Sequence, residues 1–363
     1  IRDSDSFAGL LDGAVVAPDT PIGALFPADD AGRDLVGPDL PRSGTTVLHD
    51  IVDWCERTPD AVAVVDSTGG SATYHELLAR ALVTADGLGD AGVLVGVCAG
   101  RSIDIVVAML AAQLAGAAYV PLDPTSPEAR IESILDSVEL SGVLTDDGNR
   151  ARFDAPIPIA TGSSYGPDET VAVARTRLSE VGAADDAYVI FTSGSTGRPR
   201  GVAVSHANLA ASTAARRVAY AEPPSRFLLT SSIGFDSSIV GLFWPLVSGG
   251  TIVLPGEDDV HDVDRLADVI ERHGVTHLLM VPSLYRALIT RSSDRLGSLR
   301  TAIVAGEACA PDVAALHRSA LGATPLFDEY GPTEATVWSS VHQINEDYQA
   351  SVPIGRPVAG VTL

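Results

Sequence analysis

The chain has 363 residues, of which 46% are hydrophobic, so it is long enough to bury a large core and to hold more than one subdomain. Its 47 acidic residues against 24 arginines, with no lysine, give a net charge of −23. A surface this acidic argues against nucleic acid as a partner, because non-specific binding depends on neutralising phosphates. The three cysteines form no Cys-x-x-Cys pair, which fits a reducing cytoplasm.

Composition and periodicity divide the chain near residue 45. Residues 1–45 are rich in Asp, Gly and Pro, which predicts an interdomain linker, whereas helical and strand patterns alternate over residues 46–363. Helices are predicted at 48–57, 74–86, 102–116, 262–273 and 311–319, and strands at 61–65, 93–98, 118–120, 187–191, 226–232, 251–254, 277–281 and 299–305. Strands separated by helices indicate two α/β subdomains with mostly parallel sheets.

Two segments partly match sequence patterns that are typical of other functions. Residues 105–122 carry no charge and approach the roughly 17–25 residues of a membrane span, but Gln113, Gly116 and Pro121 interrupt them. They predict a buried helix followed by a strand, with no membrane partner. Residues 87–92 fit Gly-x-Gly-x-x-Gly, yet they follow a helix and precede a strand, which is the reverse of a dinucleotide site. They predict a helix C-cap.

The segment richest in chemistry is Thr192-Ser193-Gly194-Ser195-Thr196-Gly197-Arg198-Pro199-Arg200-Gly201. Its glycines allow backbone N–H groups to surround an anion, and its hydroxyls and arginines add donors. No Gly-Lys-Ser/Thr follows, so it is not a Walker A motif. A flexible surface loop is the alternative, but the apolar flanks favour a loop that holds nucleotide phosphates, with a helix beginning after Ser205.

This loop resembles the signature loop of the adenylate-forming superfamily, and more narrowly that of amino-acid adenylation domains of nonribosomal peptide synthetases. Further matches follow in the family's order at residues 115–124, 235–238 and 330–334, with weaker ones at 73–77 and 355–357. The resemblance covers roughly residues 46–363 and implies the large N-terminal core of the acyl-CoA synthetase-like fold. The family's C-terminal lid, with its catalytic lysine, would follow residue 363, so the resemblance implies a fragment of reduced activity.

The resemblance implies an enzyme, a ligase that uses ATP and Mg²⁺ to activate an amino acid as aminoacyl-AMP with release of pyrophosphate. A phosphopantetheine thiol on a carrier-protein domain would then receive the acyl group. An upstream condensation domain and a small MbtH-like accessory protein are further implied partners, in the cytoplasm. Two alternatives remain open: an acyl- or aryl-CoA ligase of the same superfamily, and a non-catalytic docking module that retains the fold.

The same resemblance implies a nucleotide site. Glu334 would bind Mg²⁺, a cation that prefers oxygen ligands. Arg200 stands where the family usually has lysine, and Asp328 where it commonly has asparagine. The implied catalytic residues are Thr333, Glu334 and Arg200, and the implied ATP contacts are Thr192, Ser193, Gly194, Ser195, Thr196, Gly197, Gly201, Gly306, Glu307, Ala308, Asp328 and Tyr330.

Asp236 is the candidate for recognising the substrate. A carboxylate beside an apolar segment needs a partner, which by resemblance is the substrate α-ammonium group; the alternative is an N-cap of the following helix. The implied side-chain pocket comprises Ser237, Val240, Leu279, Ile303, Ala305, Glu329, Val337 and Trp338. It is mostly apolar, and Trp338 limits its size. Glu329 either receives a hydrogen-bond donor or a positive charge from the substrate, or points to solvent.

The histidines show no metal-ligand spacing, so no zinc site is predicted. His206, which follows the phosphate loop at a helix start, is interpreted as a structural residue.

Overall fold

The computed structural model describes residues 35–40, 45–89, 93–193, 199–346, 348 and 352–363, and almost all of the predicted linker lies outside them. The helices are α1 (Val47–Arg57), α2 (Tyr74–Leu88), α3 (Ile103–Leu114), α4 (Glu128–Leu135), α5 (Pro167–Leu178), α6 (His206–Ala219), α7 (Ser237–Val247), α8 (Glu257–Val260), α9 (Val263–His273), α10 (Pro282–Ser292) and α11 (Pro311–Leu321). Single 3₁₀ turns cover Arg150–Arg152, Ser293–Arg295 and Thr333–Ala335.

The strands form two sheets. In chain order they are β1 (Val62–Asp66), β2 (Ser71–Thr73), β3 (Leu94–Cys98), β4 (Ala118–Pro121), β5 (Val143–Thr145), β6 (Ile157–Pro158), β7 (Asp186–Ser193), β8 (Pro199–Ser205), β9 (Arg226–Leu229), β10 (Thr251–Leu254), β11 (His277–Met280), β12 (Thr301–Ala305), β13 (Leu326–Tyr330), β14 (Ser340–Ile344) and β15 (Arg356–Pro357).

Both sheets are mostly parallel, as the sequence predicts. The nine-stranded sheet has the order β15-β14-β13-β12-β11-β9-β10-β1-β2, and the six-stranded sheet has the order β6-β5-β3-β4-β7-β8. Antiparallel pairing is confined to the ends of the sheets: β1 with β2, β13 with β14, β14 with β15, and β7 with β8. The parallel strands β11, β12 and β13 therefore end at one edge of the larger sheet, which is where ligands bind in open α/β sheets.

One continuous hydrophobic core joins the two sheets. Helix α3 contacts β3 and β4 of the smaller sheet and β1 of the larger one, and only Asp104 of its residues is not buried. An all-round apolar helix is stable in water only where it is enclosed on every side. The prediction of a buried helix and a following strand at 105–122 is confirmed, and no helix of the described residues is long and apolar enough to cross a membrane.

Local sequence signals begin and end several helices. The Thr73 hydroxyl accepts from the Glu76 backbone N–H at 3.1 Å, and the Glu76 carboxylate accepts from the Thr73 backbone N–H at 2.8 Å. This capping box gives the weak family match at 73–77 a structural role. Gly89, at φ +59°, ends α2 as the C-cap that the Gly-x-Gly pattern predicts.

Candidate active site

The predicted phosphate loop connects the two strands of an antiparallel hairpin. Strands β7 and β8 pair Thr192 with Arg200 and Ser193 with Pro199, so the hairpin closes directly before the loop. The predicted ATP contacts that fall outside the described residues are Gly194, Ser195, Thr196 and Gly197. A side chain at Gly201 would crowd Val189 and Phe191 of β7, which explains glycine at this position. Ser205 caps α6, as predicted, by accepting from the Asn208 backbone N–H at 3.2 Å.

The motif at 330–334 folds against the hairpin. Strand β8 contacts the 3₁₀ turn Thr333–Ala335, which brings Arg200 and the Thr333–Glu334 segment into one region. Gly331 passes so close to the following chain that a Cβ there would lie 2.4 Å from the Trp338 Cα atom. The Ser339 N–H donates to the Tyr330 carbonyl at 2.8 Å and holds this reversal in place.

The turn after this motif contains an unusual backbone. Thr336 and Val337 both have positive φ angles, of 58° and 78°, and the latter is an outlier for a β-branched residue. Helix α6 holds the turn through Ser212, whose hydroxyl donates to the Thr336 carbonyl at 2.8 Å. The Trp338 indole N–H donates in return to the Ser212 carbonyl at 3.2 Å. Such strained segments cluster at functional sites, where the surrounding contacts enforce them.

The Asp236 carboxylate lies next to the turn Thr333–Ala335, where Thr333 hydrogen-bonds to it. It occupies the N-cap position of α7, but its side chain makes no capping hydrogen bond, so the alternative of a purely capping role is not supported. Burial raises the pKa of its carboxyl, and the nearby Glu334 carboxylate adds to this, whereas hydrogen bonding from Thr333 and local backbone groups lowers it. Among the described residues no arginine, lysine or histidine forms an ion pair with Asp236. A desolvated carboxylate without a cation can bind a positively charged ligand group.

The residues predicted to form the side-chain pocket lie together beside Asp236. Leu279, Ile303 and Phe327 are in register across β11, β12 and β13, so they share one face of the larger sheet. They belong to one buried cluster with Val240 and Trp338, against which Ala305 and Val337 pack. Ser237 lies one position after Asp236, and its hydroxyl donates to Ser231 at 3.0 Å.

Glu329 does not behave as either alternative predicts. Ala305 and Glu329 are in register, so Glu329 lies in the same pocket face, but it is 3% exposed and the solvent-facing alternative is wrong. Its carboxylate accepts from Arg216 at 2.5 Å (Nη1 to Oε1) and 3.0 Å (Nη2 to Oε2), and from the Tyr220 hydroxyl. The hydrogen bonds that the other alternative reserves for the substrate are therefore made within the protein.

The predicted adenine contacts lie at the ends of two neighbouring parallel strands. Gly306 follows β12 with φ +84°, and Tyr330, which ends β13, is 52% exposed. Glu307 and Ala308 are exposed, and the Glu307 carboxylate accepts from the Ser283 hydroxyl at 3.0 Å. The open edge next to an exposed aromatic ring provides a surface on which a planar ring can stack.

Comparisons with known proteins extend these observations to a family. The model of the family described as AMP-binding enzyme matches residues 51–363. The chain belongs to the AMP-binding enzyme family. The fold agrees: the structure of the nonribosomal peptide synthetase FmoA3 in its α-methyl-L-serine-AMP bound form superposes with a TM-score of 0.76 at 30% identity, over 89% of this chain and 37% of that one. The Klebsiella oxytoca NpsA N-terminal subdomain in complex with 3-hydroxybenzoyl-AMSN gives 0.71 at 25% identity, over 87% and 80%.

Within the AMP-binding family, curated relatives are large peptide synthetases, which confirms the resemblance seen in the sequence. The chain is 37% identical over 325 residues to AMB antimetabolite synthetase AmbB of Pseudomonas aeruginosa, and 35% identical over 380 residues to isonitrile lipopeptide synthase of Streptomyces coeruleorubidus. These alignments cover 87% and 98% of this chain but only 25% of each of the two relatives. The chain thus corresponds to a small part of each relative.

Sequence reasoning about this AMP-binding chain missed three residues at the pocket. Two of them, Arg216 and Tyr220, lie at the end of α6, and the third, Trp244, lies on α7. They pack around Glu329 and Trp338. Arg216 is 2% exposed, although the sequence shows only an Arg-Arg pair at a helix end, which is typical of a solvated helix terminus. The one available signal was Glu329 itself, because a buried carboxylate requires a partner somewhere in the chain.

Asp328 gives a pH-dependent prediction. It is 4% exposed, and burial, together with the Glu329 charge, raises the pKa of its carboxyl to about 7. The folded state favours the protonated form of a carboxyl whose pKa is raised on folding. The protein is therefore more stable at low pH, and this advantage is lost as pH rises through about 7. We expect Asp328→Asn to increase the free energy of unfolding above pH 7 by up to a few kcal/mol, because one pKa unit corresponds to about 1.4 kcal/mol.

Urea unfolding at pH 5, 6, 7 and 8 measures this difference. We expect the advantage of Asp328→Asn to grow from pH 5 to pH 8 and then to level off. Asp312→Asn is a suitable control, because that carboxylate lies on the surface in an ion pair with Arg286 at 2.6 Å. A difference between Asp328→Asn and the original chain that is constant across this pH range contradicts the prediction.

Proposed function

We propose that this chain activates an α-amino acid by joining its carboxylate to AMP with release of pyrophosphate. A phosphopantetheine thiol on a carrier-protein domain then accepts the aminoacyl group. One observation carries the proposal: the half-buried Asp236 carboxylate, which has no cationic partner among the described residues, lies next to Thr333 and the turn that contains Glu334. A substrate bound beside Asp236 and this turn presents its ammonium group to Asp236 and its carboxylate to a nucleotide held at the turn.

The nucleotide side of this reaction rests on residues that surround the turn. Arg200 supplies positive charge near the phosphates. The Thr333 hydroxyl, which hydrogen-bonds to Asp236 in the absence of nucleotide, turns its one donor toward the α-phosphate when nucleotide binds. Tyr330 stacks on adenine, with Gly306, Glu307 and Ala308 along its other face. In support, the synthetase FmoA3 has also been solved in an AMPPNP bound form, which superposes with a TM-score of 0.77.

Magnesium fits this arrangement with one protein ligand. Glu334 is exposed and belongs to the turn that β8 contacts, and carboxylate oxygens are hard donors of the kind that Mg²⁺ prefers. Among the described residues no group of three or more His, Cys, Asp or Glu side chains is placed to hold a metal ion. Glu334 would therefore hold Mg²⁺ as a single protein ligand, and further oxygen ligands would have to come from outside the described residues. Bound there, it would neutralise charge on the phosphates.

The partners follow from the same proposal. A carrier-protein domain receives the product, an upstream condensation domain uses the loaded carrier, and a small MbtH-like accessory protein docks on the core. The multidomain length of the relatives supports the first two, because the chain matches only 25% of AmbB. With these partners the chain acts in the cytoplasm.

An acid without an α-amine is the substrate of the alternative ligase. Binding such an acid would cover the half-buried Asp236 carboxylate without supplying a counter-charge, which disfavours that acid. The two functions therefore differ in one measurable property, the affinity for adenylate analogues with and without an α-ammonium group.

Titration calorimetry of this chain with non-hydrolysable adenylate analogues tests the proposal. We expect the α-methylseryl analogue to bind at least about 10-fold more tightly than the 3-hydroxybenzoyl analogue, because only the former carries a charge for Asp236. The N-terminal subdomain of NpsA is a precedent for binding by a core of this size, since this chain covers 80% of it. Tighter binding of the 3-hydroxybenzoyl analogue would favour the aryl-acid ligase, and no binding of either would favour a docking module.

A further inference from the structure

Helix α7 defines the depth of the pocket that begins at Asp236. Asp236, Val240 and Trp244 follow one another at four-residue intervals, so they lie on one face of the helix, about 6 Å apart along its axis. Val240 and Trp244 pack in the same cluster as Leu279 and Ile303 of the opposing sheet. A side chain that extends from an α-carbon near Asp236 passes Val240 after one turn and meets Trp244 after two.

Aromatic rings and a guanidinium group fill the far end of this pocket. The Arg216 guanidinium carbon lies 4.2 Å from the Trp338 ring centroid and 5.4 Å from that of Trp244. The Tyr220 ring lies 4.9 Å from Trp244 and 4.8 Å from Phe327, centroid to centroid. All five side chains are buried, with Phe327 the most exposed at 9%. These buried side chains occupy the end of the pocket and leave room for only a short side chain of a substrate.

The charges at this end cancel. Arg216 and Glu329 form a two-point ion pair, and the Tyr220 hydroxyl adds a third hydrogen bond to the same carboxylate. The pair lies between two indole rings, to which Arg216 presents a further cation–π interaction. A charged substrate side chain that entered the pocket would lose its hydrating water. It would find no unpaired opposite charge at this end to compensate for that loss.

We propose that Arg216 determines the substrate side chain, by closing the pocket with the Arg216–Glu329 pair so that it accepts a small uncharged α-amino acid. The proposal rests on the amino-acid adenylation proposed above. Arg216 acts through Glu329 and the two tryptophans: it neutralises the carboxylate and fills the space into which a longer side chain would extend. Val240 and Ile303 provide the apolar wall that such a small side chain contacts.

The first test uses the unmodified chain with aminoacyl-adenylate analogues of different side chains in titration calorimetry. We expect the alanyl or seryl analogue to bind at least 10-fold more tightly than the ornithyl, glutamyl or norleucyl analogue. Tighter binding of a charged or long side chain overturns the proposal and leaves the adenylation function intact. Absence of binding by every aminoacyl analogue overturns both, so the two failures are distinguishable.

The second test changes the charge at the end of the pocket. Arg216→Ala frees the Glu329 carboxylate and the space before it, so we expect at least a 10-fold gain for the ornithyl analogue relative to the alanyl one. Glu329→Ala leaves the Arg216 guanidinium unpaired, so we expect a corresponding gain for the glutamyl analogue. The double replacement Arg216→Ala/Glu329→Ala leaves space without charge, and we expect it to favour the norleucyl analogue.

The neighbouring arginine provides a matched control. Arg217 lies on the surface with its side chain 52% exposed and pairs with Asp50 at 2.7 Å, and we expect Arg217→Ala to keep the original order of affinities. A purely structural ion pair would weaken all analogues equally in the Arg216 and Glu329 variants, and that result overturns the proposal. If these variants do not fold, as judged by circular dichroism, the order of affinities of the unmodified chain still decides it.

Discussion

We expect Asp236→Ala to weaken binding of aminoacyl-adenylate analogues by about 100-fold or more while the affinity for AMP changes less than about threefold. Truncating one member of a buried charge pair costs about 2–5 kcal/mol, which corresponds to this loss. The structure places Asp236 at the start of α7, facing the turn that contains Thr333, without a cation among the described residues. Titration calorimetry with the same analogue and with AMP measures both affinities.

A different neutral replacement at this position, Asp236→Asn, has an opposite expected effect on the stability of the unliganded protein. Burial raises the pKa of the Asp236 carboxyl, so its ionised form destabilises the fold. This destabilisation appears as pH rises above the ordinary pKa of a carboxyl group. We therefore expect Asp236→Asn to unfold at an equal or higher urea concentration than the original chain at pH 7. A residue retained for binding at the expense of stability behaves in this way.

Asp262→Asn is the matched control for both measurements. Asp262 is also an aspartate at a helix N-terminus, but its carboxylate accepts from the Asp264 and Arg265 backbone N–H groups at 2.9 and 3.2 Å. We expect its replacement to leave analogue binding unchanged. If Asp236→Ala bound the analogue as tightly as the original chain, Asp236 would not be the partner of the substrate ammonium group.

The second large effect concerns the buried ion pair. We expect Glu329→Ala to lower the free energy of unfolding by about 3–5 kcal/mol, because it leaves the Arg216 guanidinium buried without its counter-charge. Both side chains are 2% exposed, and the Tyr220 hydroxyl also loses its acceptor. Urea unfolding at pH 7 measures the difference.

A double-mutant cycle separates the ion pair from the loss of packing. We expect Arg216→Ala/Glu329→Ala to be less destabilised than the sum of its single replacements by about 2 kcal/mol or more. The surface pair Arg217–Asp50 is the control cycle, with an expected coupling below about 1 kcal/mol. Equal coupling energies in the two cycles would show that burial does not strengthen the dependence of Glu329 on Arg216.

Several elements could be predicted from short stretches of sequence. Ser205 caps α6, Gly89 ends α2 and the uncharged segment at 105–122 folds into a helix and a strand, because each outcome depends on neighbouring residues. The layered α/β class follows from the alternation of such elements. The family match follows from the motifs in register, each of which is also local.

The contacts between distant segments could not be predicted in this way. Glu329 and Arg216 are 113 positions apart, and nothing near either residue indicates the other. The sequence left Glu329 free to bind substrate or to face water, and the structure shows it buried in an ion pair. Likewise, the positive φ angle of Val337 depends on Ser212 of α6 and on Trp338, in the segment before β14, which hold the turn from its two sides.

The sequence by itself determined the class of fold, the family and the position of Asp236 at a helix start, because those depend on short-range patterns and on motifs in order along the chain. Only the tertiary structure decided what closes the pocket and with what charge. The physical reason is that burial of a charge is a property of the packed core: the environment of Arg216 comes from Trp244, Trp338 and Glu329, which folding alone brings together.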